Sequence, residues 1–545
     1  MKFLVISLIS VLLVPSTKLV AAEYSSVSVS VTVDTAKAEP PIDRNIYGQF
    51  SEHLGKGIYD GIWVGEESPI PNVHGYRKDV VDALKKIHVP VLRWPGGCFA
   101  DQYDWRDGIG PREKRPVRIN ANWGGVLESN AFGTHEFLDF AELIGAEPYI
   151  SINMGSMTPL DAAHWLEYVT SDTKSSLAEE RRKNGRDKPW KVKYVGLGNE
   201  VWGCGGEMRA GYAIDVTRRY AYYVNAPEGQ NLIKVAGGPT ANLPGYEEFT
   251  DTVMKNAKDL FGNIGFQALS LHYYAGPAGD DEDLSVVGAK NVPPGTRAVG
   301  FSEDKWANYL RSARAIDQAI DTVSAVMDKY DPDKKVALYV DEWGAGHEAE
   351  PGDKAIFQYQ QSSLLDAEVA ALTLNIFQRH TDRVKMSNIA QMINVVQALI
   401  LTDKARMLLT PTYHVFDMYQ PFQGATPYPV SVAGPHYDHG GHSLPAVDVS
   451  AAKGTDGKLY LALVNLDPNK AADIATNLRG AALGRILTGP AIDTHNTFDA
   501  PDTIHPVPFT GGTKGRKLTF HLPAKSIAIV AVDRGTDSVA SSVSR

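Results

Sequence analysis

From Ile46 to about Met386 the chain repeats one unit: a short apolar strand, a polar or Gly-rich loop, then an amphipathic helix. Helical crossovers are what parallel strands require, so this alternation restricts the fold to a closed barrel or an open, doubly wound sheet. Eight segments read as strands: Ile46 to Phe50, Val91 to Trp94, Glu147 to Asn153, Val192 to Leu197, Leu232 to Ala236, Ala268 to His272, Val336 to Val340 and Arg383 to Met386. Apolar spacing between them predicts helices from Lys78 to Ile87, Thr134 to Leu143, Pro159 to Val169, Arg209 to Val224, Tyr246 to Asn256, Lys305 to Lys329 and Phe357 to Arg379. Eight such units favour a (β/α)8 TIM barrel over residues 43–420, with long loops. No G-x-G-x-x-G follows the first strand, which weighs against the doubly wound alternative.

The texture changes at both ends. Val27, Val29, Val31 and Val33 alternate with Ser and Thr, the period-two pattern of a half-buried strand. Beyond Pro421 helical periodicity stops, and Leu459 to Val464, Lys517 to Leu522 and Ser526 to Val532 alternate with turns, as in a β-sandwich. Residues 23–42 and 421–533 are therefore expected to form one jelly-roll-like sandwich with the barrel inserted, followed by a small, polar, disordered tail at 534–545.

Residues 1–22 begin with Lys2, continue through a short apolar run and end in Val20-Ala21-Ala22, the pattern of a cleavable signal peptide. The expectation from it is a secreted or periplasmic protein. No other run approaches the roughly 20 apolar residues of a membrane span. The 54 Lys and Arg against 64 Asp and Glu give a net charge of −10, which argues against nucleic acid and anionic membranes as partners. The basic clusters around Arg115 and Arg181 sit among acids, prolines and glycines and read as solvated loops and helix ends. Cys98 and Cys204 are the two cysteines. They could pair in an exported protein, but sequence supplies no distance and the fold cannot depend on them.

In a barrel, chemistry sits where strands end. Strand one runs into Glu52-His53, strand two into Arg93-Trp94-Pro95-Gly96-Gly97-Cys98, strand three into Asn153, strand four into Asn199-Glu200, strand six into His272-Tyr273-Tyr274 and strand seven into Asp341-Glu342. Glu200 and Glu342 each have a Trp just beyond. Paired carboxyls on separate strand ends, beside ring-stacking surfaces, suit cleavage of a glycosidic bond, where one carboxyl is protonated and the other ionised. Of Trp94, Trp123, Trp202 and Trp343, at most two are expected to touch sugar, because bulky aromatics in a barrel are more often core.

Arg93-Trp94-Pro95-Gly96-Gly97, Gly196-Leu197-Gly198-Asn199-Glu200, Leu271-His272-Tyr273-Tyr274, Asp341-Glu342-Trp343 and Ala390-Gln391-Met392-Ile393-Asn394 together resemble the α-L-arabinofuranosidases of glycoside hydrolase family 51. The resemblance implies a retaining double displacement that releases terminal α-L-arabinofuranosyl units from polysaccharides and oligosaccharides. It implies Glu200 as acid/base, with Trp202 supplying an apolar setting, and Glu342 as nucleophile, kept ionised by Arg93. Glu52, Asn199, Tyr274 and Gln391 would bind the furanose hydroxyls, with Tyr273 the alternative to Tyr274, and His272 would support one of the glutamates. Cys98 stands where many members carry a sugar-contacting Asn. Members are often homo-oligomers, and no metal or cofactor is implied, since two carboxyls suffice. Endo-cleavage of a β-glucan, an activity found in the same family, and an inert carbohydrate-binding protein are the alternative readings. His436, His439 and His442 recur at three-residue spacing, but their Gly-rich setting reads as an ordinary loop rather than a metal site.

Overall fold

The computed structural model describes residues 25–226, 230–277 and 296–533. Residues 1–22 and 534–545, to which the leader and the tail were assigned, lie outside the described residues.

The eight barrel strands are, in order, Gly48–Phe50, Val91–Trp94, Glu147–Ile152, Tyr194–Leu197, Ile233–Ala236, Ala268–Ala275, Ala337–Ala345 and Val384–Ile389. They close into one parallel barrel in chain order. Strand one is shorter than its apolar run suggests because Arg44–Tyr47 forms a 3-10 turn, capped where the Asp43 carboxylate accepts from the Asn45 N–H. Strands six and seven run past their predicted ends and carry paired backbone to the mouth of the barrel. Alternation along each strand sends one set of side chains inward. Val91, Tyr149, Tyr194, Val235, Ala268, Tyr339 and Met386 form that interior plug. Their neighbours, among them Leu92, Ile150, Val195, Leu269 and Leu338, pack outward against the helices.

Local signals set the helix ends. Pro159–Thr170 starts with a Thr158/Asp161 capping box and Pro at its first position. Leu364–Arg379 starts at a second box, in which the Asp366 carboxylate accepts from both the N–H and the hydroxyl of Ser363, so the predicted start at Phe357 is seven residues too early. Two helices were not anticipated: Ser176–Lys183, and Pro411–Tyr419 capped by Thr410. No helix among the described residues is long and apolar enough to cross a membrane.

Ser26–Val33 lies in a five-stranded sheet between Val430–Ala433, antiparallel, and Ala471–Thr476, parallel. Its valines at 29, 31 and 33 are buried and its hydroxyl residues face solvent. A six-stranded sheet faces it, with Val447–Lys453, Leu459–Asn465, Ser526–Asp533 and Ala481–Thr488 adjacent in that order. Helix Leu364–Arg379 packs between barrel and sandwich, in contact with the sandwich strands at Val447, Leu459 and Ser526.

Two basic residues are more than solvated charges. Arg181 is fully buried and donates to the carbonyls of Tyr168, Ser171, Arg186 and Asp187. Arg115 is buried against Glu136, with N–O distances of 3.0 and 3.1 Å. The clusters read as solvated because each mixes exposed charges with one that reaches inward to carbonyls or a carboxylate. His436–His439 and His442–Pro445 form a hairpin rather than a loop. His439 in it meets Glu303 and Asp304 at the start of helix Glu303–Asp328.

Candidate active site

Glu342 stands near the end of strand seven, opposite His272 of strand six. Between Ser270 and His272 the register slips: strand seven carries one residue more than its partner. Such a bulge re-aims side chains, and here consecutive Asp341 and Glu342 both turn toward the mouth. The Glu342 carboxylate accepts from Arg93 Nη1 at 3.0 Å and from the Tyr274 hydroxyl at 2.7 Å. Tyr273 points the other way and donates to the Ser312 carbonyl, so Tyr274 is the tyrosine of the site.

Arg93 is 1 % exposed, lies 4.6 Å from the Phe50 ring centroid, and donates to Ser151 Oγ, the Asp341 carbonyl, Glu342 and Asn199 Oδ1. Burial works against its charge, but Asp341 and Glu342 outweigh it and raise its pKa. Asp341 is buried and accepts from Tyr149, Ser270 and His272. Burial would raise its carboxyl, yet Arg93 and His272 hold it down to about 2. Burial likewise opposes charge on His272, while Glu342, Asp341 and Glu200 push its pKa up to about 10. The ring is therefore an imidazolium at neutral pH.

Glu200 follows strand four through the turn Gly198-Asn199-Glu200. Its φ is +39°, a left-handed conformation that costs a non-glycine residue free energy and that the surroundings must hold in place. Its Oε1 lies 3.1 Å from His272 Nδ1 and its Oε2 is 3.5 Å from Cys204 Sγ. This differs from the apolar setting expected beside Trp202, whose indole donates instead to the Gly238 carbonyl. One carboxylate oxygen each of Glu200 and Glu342, together with a nitrogen of His272, lie within 4.8 Å of one another.

Glu52 closes the opposite wall. Its Oε1 accepts from the N–H groups of Gly97 and Phe99 and the Trp123 indole, and its Oε2 accepts from Gln391 Nε2 at 3.1 Å. Burial raises this carboxyl above its usual range and Glu342 adds to the effect, against the bonds from Phe99, Trp123 and Gln391. The Gln391 carbonyl oxygen is buried without a hydrogen-bond partner, an open acceptor at the mouth. A Cβ on Gly97 would sit 3.3 Å from both Asn199 Nδ2 and Glu342 Oε2, so the backbone borders the pocket directly.

The structure brings Glu52, Arg93, Cys98, Asn199, Glu200, His272, Tyr274, Glu342 and Gln391 together, whereas the strand-end Asn153 donates to the Tyr103 carbonyl and to Ser156. Cys98 is disulfide-bonded to Cys204, so it has no thiol to donate; its carbonyl accepts from Asn122. Trp94 and Trp343 are core, stacked on Phe137 and edge-on to Phe377. Asp101 and Tyr149 were missed. The inward parity of Tyr149 with Ser151 was a usable signal for one; Asp101 lies in a 3-10 turn with no pattern to mark it.

Two family models match the chain, the alpha-L-arabinofuranosidase 1 domain over residues 83–231 and the alpha-L-arabinofuranosidase C-terminal domain over residues 341–526. An intracellular exo-alpha-L-arabinofuranosidase of Bacteroides ovatus is 44% identical over 526 residues, covering 94% of this chain and 98% of its own. The crystal structure of a GH51 arabinofuranosidase from Xanthomonas axonopodis pv. citri superposes with a TM-score of 0.88 at 48% identity, over 93% of this chain and all of the other. An arabinose complex of the Thermotoga maritima alpha-L-arabinofuranosidase gives a TM-score of 0.78 at 29% identity, with the same coverage. The secreted or periplasmic localisation expected from residues 1–22 is overturned by the Bacteroides ovatus relative, which is intracellular. A charged start and a short apolar run report local hydrophobicity and do not by themselves fix a compartment. With relatives of this identity aligned along nearly its whole length, on a barrel and sandwich of the same architecture, the chain belongs to the α-L-arabinofuranosidases of glycoside hydrolase family 51.

Proposed function

We propose that this protein is an exo-acting, retaining α-L-arabinofuranosidase that removes terminal α-L-arabinofuranosyl residues from arabinose-containing polysaccharides and oligosaccharides. The observation that carries the reading is the approach of Glu200 and Glu342 to within 4.8 Å, oxygen to oxygen. Carboxyls about 5–5.5 Å apart suit attack by one of them on the anomeric carbon, whereas an inverting enzyme needs about 6.5–9.5 Å to admit water.

In this reading Glu342 is the nucleophile, oriented by Arg93 and Tyr274, which together occupy both carboxylate oxygens. Glu200 gives a proton to the leaving oxygen and later takes one from water. The His272 imidazolium spans Glu200 and Asp341 and stabilises negative charge on the first as the leaving group departs. Glu52, Asn199 and Gln391 bind the furanose hydroxyls; Gln391 contributes its open carbonyl and Glu52 a carboxylate held on several sides. Exo action is supported by the wall over this pocket. The Trp123 indole reaches Glu52, and a Cβ on the adjacent Gly124 would lie 3.1 Å from Ile356 and 3.2 Å from Phe357. Two loops thus meet beside Glu52.

The test is hydrolysis of an activated aryl α-L-arabinofuranoside by Glu200→Ala and Glu342→Ala with and without azide. Azide restores turnover of Glu200→Ala and yields an arabinosyl azide of retained configuration, because the small anion replaces base-activated water. Rescue of Glu342→Ala with retention, or no rescue of either, defeats the assignment.

A further inference from the structure

Asp101 is a buried carboxylate, 6 % exposed, whose hydrogen bonds go to backbone N–H groups of two other loops. Its Oδ1 accepts from Met154 and Gly155, both at 2.7 Å, in the loop after strand three. Its Oδ2 accepts from Asn199 at 3.0 Å, in the turn after strand four. The seat is tight: a Cβ on Gly155 would lie 3.0 Å from Asp101 Cβ, and one on Gly205 would lie 3.1 Å from Asp101 Oδ2. Burial pushes this carboxyl up to about 7, against the pull of those N–H groups and of Arg93. A buried acid with so much of its hydration replaced by donors from converging loops fixes how those loops sit.

We propose that Asp101 is the positioning residue of the acid/base, holding the Asn199-Glu200 turn in its left-handed form so that Glu200 faces the leaving-group oxygen; this rests on the reading of Glu200 given above. The two glutamates are held differently. Glu342 stands on a barrel strand and is gripped by Arg93 and Tyr274. Glu200 lies beyond its strand at φ +39°, and the N–H just before it is the one Asp101 accepts. Without that acceptor the turn relaxes toward negative φ and the Glu200 carboxyl swings away, while Glu342 stays. Proton donation is lost before nucleophilic attack.

The experiment is Asp101→Asn, which keeps the shape but turns one acceptor into a donor facing N–H groups. kcat/KM is measured on arabinofuranosides with leaving groups graded from 2,4-dinitrophenol, which needs no proton, to an arabino-oligosaccharide, which does. kcat/KM falls about 10- to 100-fold on the oligosaccharide and by less than about threefold on the dinitrophenyl substrate, the scale on which misplaced acid catalysis costs rate. Gly155→Ala, which crowds the same carboxyl, shifts the ratio in the same direction and serves if Asp101→Asn does not fold. A fall that is uniform across the series, or no fall, overturns the proposal. Glu200→Ala is run alongside: if it shows no leaving-group dependence the acid/base assignment itself fails, whereas dependence there with none in the Asp101 and Gly155 variants defeats only the positioning role.

Discussion

Glu368 lies on helix Leu364–Arg379, between barrel and sandwich, fully buried with neither carboxylate oxygen hydrogen-bonded. Burial holds its pKa well above the usual carboxylate range, with the Lys525 ammonium pulling the other way. Replacing it by Met keeps the volume and removes the polar group. A buried polar group without a partner costs about 1–3 kcal/mol in proteins, so Glu368→Met stabilises the fold by about that much even when the acid is neutral. The pH dependence has a definite sign. The folded protein holds this proton to higher pH than the unfolded chain does, so the unfolded state binds fewer protons and wild-type stability falls as pH rises. The slope is about 1.4 kcal/mol per pH unit for one proton. From pH 5 to pH 7 the advantage of Glu368→Met therefore widens. Urea unfolding followed by circular dichroism at pH 5, 6 and 7, wild type beside variant, measures it. An advantage that does not change with pH, or a variant less stable than wild type, refutes the reasoning.

Tyr274→Phe removes one bond to the Glu342 carboxylate; at about 1.5–3 kcal/mol for a hydrogen bond to a charged group, kcat/KM on an aryl arabinofuranoside falls about 10- to 150-fold. His272→Gln takes away the cation that spans Glu200 and Asp341, so kcat/KM falls more on an arabino-oligosaccharide than on an activated aryl arabinofuranoside. Arg181→Met leaves the carbonyls of Tyr168, Ser171, Arg186 and Asp187 without their donor and lowers stability by about 3 kcal/mol in chemical denaturation, with kcat unaffected in the remaining folded enzyme.

The barrel was legible in the sequence because its strands are separated by helices whose apolar period differs from their own, and the Val-Ser alternation of Ser26–Val33 is as plain. Boundaries were less so. The starts of Leu364–Arg379 and Pro411–Tyr419 are set by Ser363 with Asp366 and by Thr410 with Pro411, capping signals that a search for apolar spacing passes over. The strand-end rule located Glu200, Glu342, Arg93 and Tyr274, since a closed barrel gathers its strand ends whatever the loops do. It could not locate Asp101, which meets the Asn199-Glu200 turn across 98 residues of sequence through backbone bonds that no side-chain pattern records. Nor could it show the bulge that lets Asp341 and Glu342, neighbours in sequence, share one face.

The N-terminal strand of the sandwich imposes an order of events on synthesis. Its antiparallel partner Val430–Ala433 is made about 400 residues later in the chain, and its parallel partner Ala471–Thr476, with the Asn477 amide oxygen that accepts from the Val33 N–H, about 440 residues later. At a translation rate of roughly 5–20 residues per second that is about 20–90 seconds during which a valine-lined ribbon is exposed while the enclosed domain condenses behind it. The ribbon's docking site is assembled last, so a ribosome stalled before residue 430 releases a chain with an unpaired, adhesive leading edge.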